Sequence, residues 1–76
     1  MVELVEYMAK GLVADPAGVN VKEVKGSGST VYELTVSPDD LGKVIGKKGR
    51  TARALRTILQ AACAKEKTRA ILEILD

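Results

Sequence analysis

The chain has 76 residues, with 12 basic and 10 acidic side chains, a net charge of +2, one cysteine and no histidine. That length suits one domain, expected over residues 1–76, and a domain so small buries only about 60% of the surface its unfolded chain exposes. A single thiol excludes an internal disulfide framework and the lack of histidine removes the usual zinc spacings, so neither metal nor cofactor is expected and the core must be aliphatic.

Residues 2–13 have the spacing of a helix, with Val5, Met8, Ala9 and Leu12 on one stripe. Asp15-Pro16 stops it, because the residue before a proline is pushed out of the α region. Residues 19–25 read as a strand in which Val19 and Val21 alternate and Val24 falls out of phase, the mark of a bulge or an early end. Gly26-Ser27-Gly28-Ser29 is a turn signal. Residues 30–36 form a second strand, Tyr32, Leu34 and Val36 pointing one way and Val31, Glu33 and Thr35 the other.

Ser37-Pro38-Asp39-Asp40 is a helix start: Ser37 to cap, Pro38 at the first position, two acids for the positive end of the dipole. In the short helix that follows, Leu41, Val44 and Ile45 give the apolar side, and Gly46 ends it. A second helix runs from Gly49 to about Lys65, with Leu55, Ile58, Leu59 and Ala62 inward and Arg50, Arg53, Thr57, Gln60 and Ala64 outward. Thr68 to Leu75 has strand character with apolar residues on both faces, which predicts a well-covered strand. The order α-β-β-α-α-β implies an α+β fold, a three-stranded sheet with three helices on one face.

No apolar run reaches the about 18 residues of a membrane span. Met1-Val2-Glu3-Leu4-Val5-Glu6 interleaves acids with apolar residues, so no leader is expected, and with a lone thiol the expected location is the cytoplasm. Cys63 reads as a small helix residue without a redox partner. No nucleophile and base are paired, so the chain is not expected to be an enzyme and no small-molecule substrate is implied.

The charge is unevenly spread. From Lys43 to Lys65 lie seven basic residues (Lys43, Lys47, Lys48, Arg50, Arg53, Arg56, Lys65) and no acid, whereas the rest holds five basic and ten acidic residues. Such asymmetry suits a polyanion or a merely solvated helix face. Within it, Gly46-Lys47-Lys48-Gly49 joins two helices. Gly46 can take positive φ and end the first. Gly49 lets another backbone approach, and the lysines at the tip face solvent beside a helix N-terminus, where an anion is favoured.

The run Val44-Ile45-Gly46-Lys47-Lys48-Gly49 resembles the KH signature, Val/Ile-Ile-Gly-x-x-Gly, and the element order is that of type II KH domains. The chain is similar to small bacterial single-KH-domain RNA-binding proteins of the KhpA type. The resemblance implies that Gly46, Lys47, Lys48 and Gly49 hold the phosphates of about four nucleotides of single-stranded RNA. It implies further that Ile45 and parts of the second strand meet the bases and that Arg50 and Arg53 extend the positive track. Lys43 is a weaker candidate. The family's isoleucine three residues after the second glycine is Ala52 here, which implies a shallower groove that Leu55 partly fills. Proteins of this type act as RNA chaperones or post-transcriptional regulators and pair with themselves or with a larger RNA-binding protein. An interaction module is also an open reading, since Ala54, Ala61 and Ala64 would let a second helix approach, although alanine is simply the best helix former.

Two further readings compete. The two helices with Arg50, Arg53 and Arg56 permit a helix-turn-helix on duplex DNA. Gly42 to Lys48 echoes a phosphate-binding P-loop, but the glycine spacing is one residue short and Lys48 stands where a Ser or Thr is needed.

Overall fold

The computed structural model describes residues 1–66 and 68–76. Its elements are α1 (Val2–Lys10), β1 (Asn20–Lys25), β2 (Ser29–Thr35), α2 (Leu41–Ile45), α3 (Arg50–Ala62) and β3 (Arg69–Ile74). Single 3-10 turns occupy Pro16–Gly18, Pro38–Asp40 and Lys47–Gly49. β1 pairs antiparallel with β2, and β3 adds in parallel on the other side, so the sheet order is β1-β2-β3. A parallel pair needs a long crossover, which α2 and α3 supply. This is the expected α+β, KH-type architecture.

One face of the sheet carries the core. Tyr32 and Leu34 of β2 and Ala70 and Leu72 of β3 pack against Val5 and Ala9 of α1, Val44 of α2, and Leu55 and Leu59 of α3. Leu34, Val44 and Leu59 are completely enclosed. Truncating such a leucine to alanine typically costs about 2–5 kcal/mol, a large share of a small domain's stability. Tyr32 is the one aromatic ring in the core. Burial, and then a hydrogen bond with its cross-strand neighbour Glu23, push its phenol up to about 12.

Several local expectations are corrected. α1 ends at Lys10, not at residue 13, and Leu12 lies largely exposed. Gly11 closes the helix, and the next free N–H groups, those of Ala14 and Asp15, go to the carboxylate of Asp40 at 3.1 and 3.0 Å. β1 neither bulges nor stops early: Val24 pairs one-to-one with Val31 and sits on the outer face. Ser37 makes no capping bond; its hydroxyl donates to Asp15 Oδ2 at 2.6 Å. Pro38 does open the turn that leads into α2.

In α3 the buried stripe is Ala52, Leu55 and Leu59, continued by Cys63 just beyond the helix end. Ile58, expected inside, is 48% exposed, and Ala62 is exposed too. The helix is rotated so that its centre line runs through residues 52, 55, 59 and 63, and Ile58 falls on the flank toward α1. β3 is an edge strand, contrary to expectation. Its second apolar set is explained laterally: Ile71 stands beside Val31, which stands beside Val24, in one row across the uncovered face.

Candidate nucleic-acid interface

The loop between α2 and α3 is built by three residues with unusual backbones. Gly46 ends α2 at φ 76°, ψ 169°, while its N–H still donates to Gly42 O at 2.8 Å. A Cβ there would strike the Thr51 side chain and lie 2.9 Å from the Thr51 nitrogen. Glycine is needed at 46 for both conformation and space. Lys48 (φ 58°, ψ 24°) and Gly49 (φ 73°, ψ 15°) are successive left-handed residues. They fold the tip so tightly that the Gly49 N–H donates back to Gly46 O at 3.1 Å. A Cβ on Gly49 would meet nothing within 4 Å. No neighbouring backbone presses on it, so its role is conformational, and the space beside it is open.

Lys47, Lys48, Arg50 and Arg53 are exposed, and none forms an ion pair among the described residues. Lys43 differs: its Nζ lies 3.2 Å from Asp40 Oδ1. Arg53 donates from Nη2 to Lys48 O at 3.2 Å and so braces the loop while carrying charge. No side chain caps the N-terminus of α3, and Ile45 beside the loop is 38% exposed. Unpaired cations at an uncapped helix start attract phosphate oxygens.

Asp40 supports the site from beneath. It is 2% exposed, and its two oxygens accept the Ala14 and Asp15 N–H groups. The Ala14 bond foremost, then the Asp15 bond and Lys43, hold its carboxyl below the usual range against the opposing cost of desolvation. The carboxylate thereby ties the connection between α1 and β1 to the start of α2. Reading Asp40 as a dipole-favouring acid missed this tether; a buried acid cannot be told from an exposed one by residue type.

β2 is central, paired on both edges, and its inward side chains are buried. The open edges belong to β1 and β3, and β3 is the one packed against α3. Arg69 and Leu75 turn their N–H groups to Gly28 O and Leu34 O of the β2 side, so the alternate residue Leu72 turns its carbonyl outward. There it accepts from Arg56 Nε at 3.2 Å, across a cleft between α3 and β3. Ala52 is buried, and Leu55 faces α1, where it lines a cavity with Met8, Leu12 and Ile58. Leu55 therefore does not fill the cleft on the β3 side. Cys63 is buried, and burial followed by Glu66 raises its thiol, which leaves it unreactive.

Comparison with known proteins agrees with this geometry. The family model for the KH domain of KhpA/KhpB matches residues 2–74. A protein of Clostridium perfringens named RNA-binding protein KhpA is 53% identical over 75 residues, covering 99% of this chain and 100% of that one. A protein of the same name from Chlamydia trachomatis is 43% identical over 76 residues, covering 100% and 97%. No helix is long and apolar enough to cross a membrane among the described residues. The chain therefore belongs to the KhpA/KhpB KH-domain family, which is not a family of enzymes.

Proposed function

We propose that the protein binds single-stranded RNA in the cytoplasm by clamping its phosphate backbone at Gly46-Lys47-Lys48-Gly49. The observation that carries the reading is the set of four exposed, unpaired cations on and just after a glycine-bounded turn with open space beside it. Lys47 and Lys48 neutralise phosphates, Gly46 and Gly49 permit the turn, Arg50 and Arg53 continue the charge along α3, and Ile45 offers an apolar contact to a base. A loop that reads backbone and few bases suits an RNA chaperone or post-transcriptional regulator acting on many transcripts.

The duplex-DNA reading has less support. α2 has only five residues, short for a helix that supports a recognition helix in a major groove. A protein-interaction role has a specific observation of its own, and coexists with RNA binding. Tyr7 is 79% exposed and stands with Leu12 and Ile58 around a cavity of about 530 Å³ between α1 and α3. That face suits a second copy of the chain, or a larger RNA-binding protein in its place.

The double substitution Lys47→Asp/Lys48→Asp tests the clamp by fluorescence anisotropy with a labelled single-stranded RNA. Aspartate tolerates the left-handed region at 48, so the fold survives. Binding is expected to be lost with melting unchanged, and duplex DNA to compete poorly with the parent complex. For the parent, log affinity should fall against log salt with a slope near −2 to −3, at roughly −0.7 per phosphate for three or four contacts. Undiminished binding by the double variant refutes the clamp.

A further inference from the structure

Two threonines of α3 dispose of their hydroxyls differently. Thr57 Oγ1 donates to Arg53 O, four residues back, at 2.9 Å, the usual local bond of a threonine inside a helix. Thr51, the second residue of α3, makes no such bond, and its hydroxyl has no hydrogen-bond partner among the described residues. The acceptors nearest to it in the chain are already engaged. Three residues back, Lys48 O accepts from Arg53 Nη2 at 3.2 Å, and four residues back, Lys47 O accepts the Arg50 N–H. Gly46 O takes the Gly49 N–H.

The free hydroxyl is open to solvent. Thr51 is half-buried, and among the described residues no sealed side-chain oxygen or nitrogen lacks a partner, so an unpartnered Oγ1 must reach the surface. It is also held in place. A Cβ built on Gly46 would fall on Thr51 Oγ1 first and lie 2.7 Å from Thr51 Cβ, so the hydroxyl rests against the backbone of the first loop glycine. The branched Cβ of threonine restricts it to few rotamers. Lys47, Lys48 and Arg50 close by are long and exposed, and bring charge without a fixed direction. The hydroxyl brings a short donor in a fixed position, whose hydrogen rotates to suit an acceptor.

We propose that Thr51 is a binding residue of the clamp, donating from its hydroxyl to one phosphate oxygen of the single strand held at Gly46-Lys47-Lys48-Gly49. The cations attract the phosphate, and Thr51 fixes where one of its oxygens sits. An anionic oxygen suits the place because the side chains around the hydroxyl are cationic donors, and contacts of this kind set the register of a nucleic acid without reading its sequence. The inference rests on the RNA-binding reading above and deepens it. It also gives the close approach of Gly46 a purpose, since any side chain at 46 would push the hydroxyl off the loop.

The test compares Thr51→Val and Thr51→Ser with the intact parent by anisotropy on a labelled eight-nucleotide uridine RNA, each through a salt titration. Valine keeps the branched shape against Gly46 and removes the donor; serine keeps the donor and removes the methyl. Thr51→Val is expected to bind about tenfold more weakly, the scale of a hydrogen bond to a charged group, and Thr51→Ser to stay within about twofold of the parent. No charge changes, so the slope of log affinity against log salt should be the same for all three proteins, unlike that of a lysine variant. Valine binding as tightly as the parent overturns the proposal, as does a slope that shallows with valine. Serine falling as far as valine also overturns it, because the methyl contact would then be the cause. So does a loss with valine that comes with displaced Gly46 and Gly49 amide signals in the NMR spectrum of the free protein, the mark of a distorted loop. Each of these outcomes leaves the clamp standing, since the parent still binds; a parent that binds no single strand refutes the RNA-binding reading and this inference together.

Discussion

Gly46 stands so close to Thr51 that a single added methyl at position 46 would collide with the threonine side chain. The turn from α2 into the loop is also made in a backbone region that only glycine occupies comfortably, at φ 76° and ψ 169°. The second glycine of the pair is under one constraint only, since Gly49 needs its positive φ but has free space around it. Gly46→Ala should therefore destabilise more than Gly49→Ala. The backbone term alone is about 1–3 kcal/mol at 46, with the collision added, against about 1–2 kcal/mol at 49. Urea denaturation of the two variants checks the order; an equal loss would mean that Thr51 moves aside without cost.

Lys48 is the one described non-glycine residue at positive φ. In the proposed clamp its side chain serves the ligand, while its backbone works against the fold. Lys48→Gly should raise stability by up to about 1 kcal/mol, because glycine enters the left-handed region without the Cβ penalty. The same variant should weaken single-strand binding and reduce the magnitude of the salt slope by roughly 0.7. Melting and salt titrations of one sample measure both, and a variant that is stabilised yet binds with an unchanged slope would remove Lys48 from the phosphate contacts.

How much of this was readable beforehand depended on the range of the interaction involved. The element order, the end of α2 and the charged loop are local in sequence, and local patterns of glycine, proline and apolar spacing announce them. The rotation of α3 was misjudged because Ile58 and Leu59 are equally apolar; which one is buried depends on how α1 packs across the helix. The functions of Asp40 and Arg56 join residues 25 or 26 and 16 positions apart. Nothing in the neighbourhood of either residue announces such a partner. The strand order leaves β2 central because the hairpin places β1 on one of its edges and the parallel crossover places β3 on the other, a long-range pairing that local pattern does not announce.

Acid should loosen the molecule through Asp40. Its carboxyl titrates lower in the folded chain than in the unfolded one, because the charged form holds the Ala14 and Asp15 N–H groups. Below its ordinary range the unfolded state binds the proton first, so the stability Asp40 contributes is complete above about pH 4 and is lost as pH falls through its folded value. Asp40→Asn replaces one acceptor by an amine that faces a backbone donor. Denaturation midpoints between pH 3 and 7 should fall more steeply toward acid for the parent than for this variant, which starts lower at neutral pH. Parallel curves would show that another carboxylate governs the acid limb.

Base should act through Tyr32. With its phenol pushed up to about 12, the folded chain keeps a proton that the unfolded chain gives up near pH 10. In that window the native state binds more protons, so stability falls as pH rises, by on the order of 2 kcal/mol over the full interval. Tyr32→Phe keeps the buried ring and loses both the titration and the bond with Glu23. Its stability should be slightly lower at pH 8 and less sensitive to pH between 10 and 12. Absorbance at 295 nm followed alongside unfolding would show whether phenolate appears together with loss of structure.

The last prediction concerns the apolar face between α1 and α3. Ile58 is two residues past Arg56 and five past Arg53, about 200° and 140° around α3, so the apolar surface of Tyr7, Leu12 and Ile58 lies on the flank away from those two arginines, while Arg50 is about 80° from it and two turns earlier. A specific dimer at the small end of the usual range buries about 600 Å² per partner, close to an eighth of the 5024 Å² surface, which two neighbouring helix faces can supply. If this face pairs two copies, sedimentation velocity should show the parent's mass rising with concentration. Ile58→Lys should remain monomeric over the same range, because burying a lysine ammonium in the centre of an apolar contact costs its hydration. RNA affinity of the variant per chain should stay within about twofold of the parent, since Arg53 and Arg56 are on the other flank and the Gly46-Lys47-Lys48-Gly49 loop is more than two turns of α3 away. A parent that is monomeric at all concentrations, yet is driven onto a larger protein by the same face, would place this surface in a heterologous complex and leave the separation of the two flanks intact.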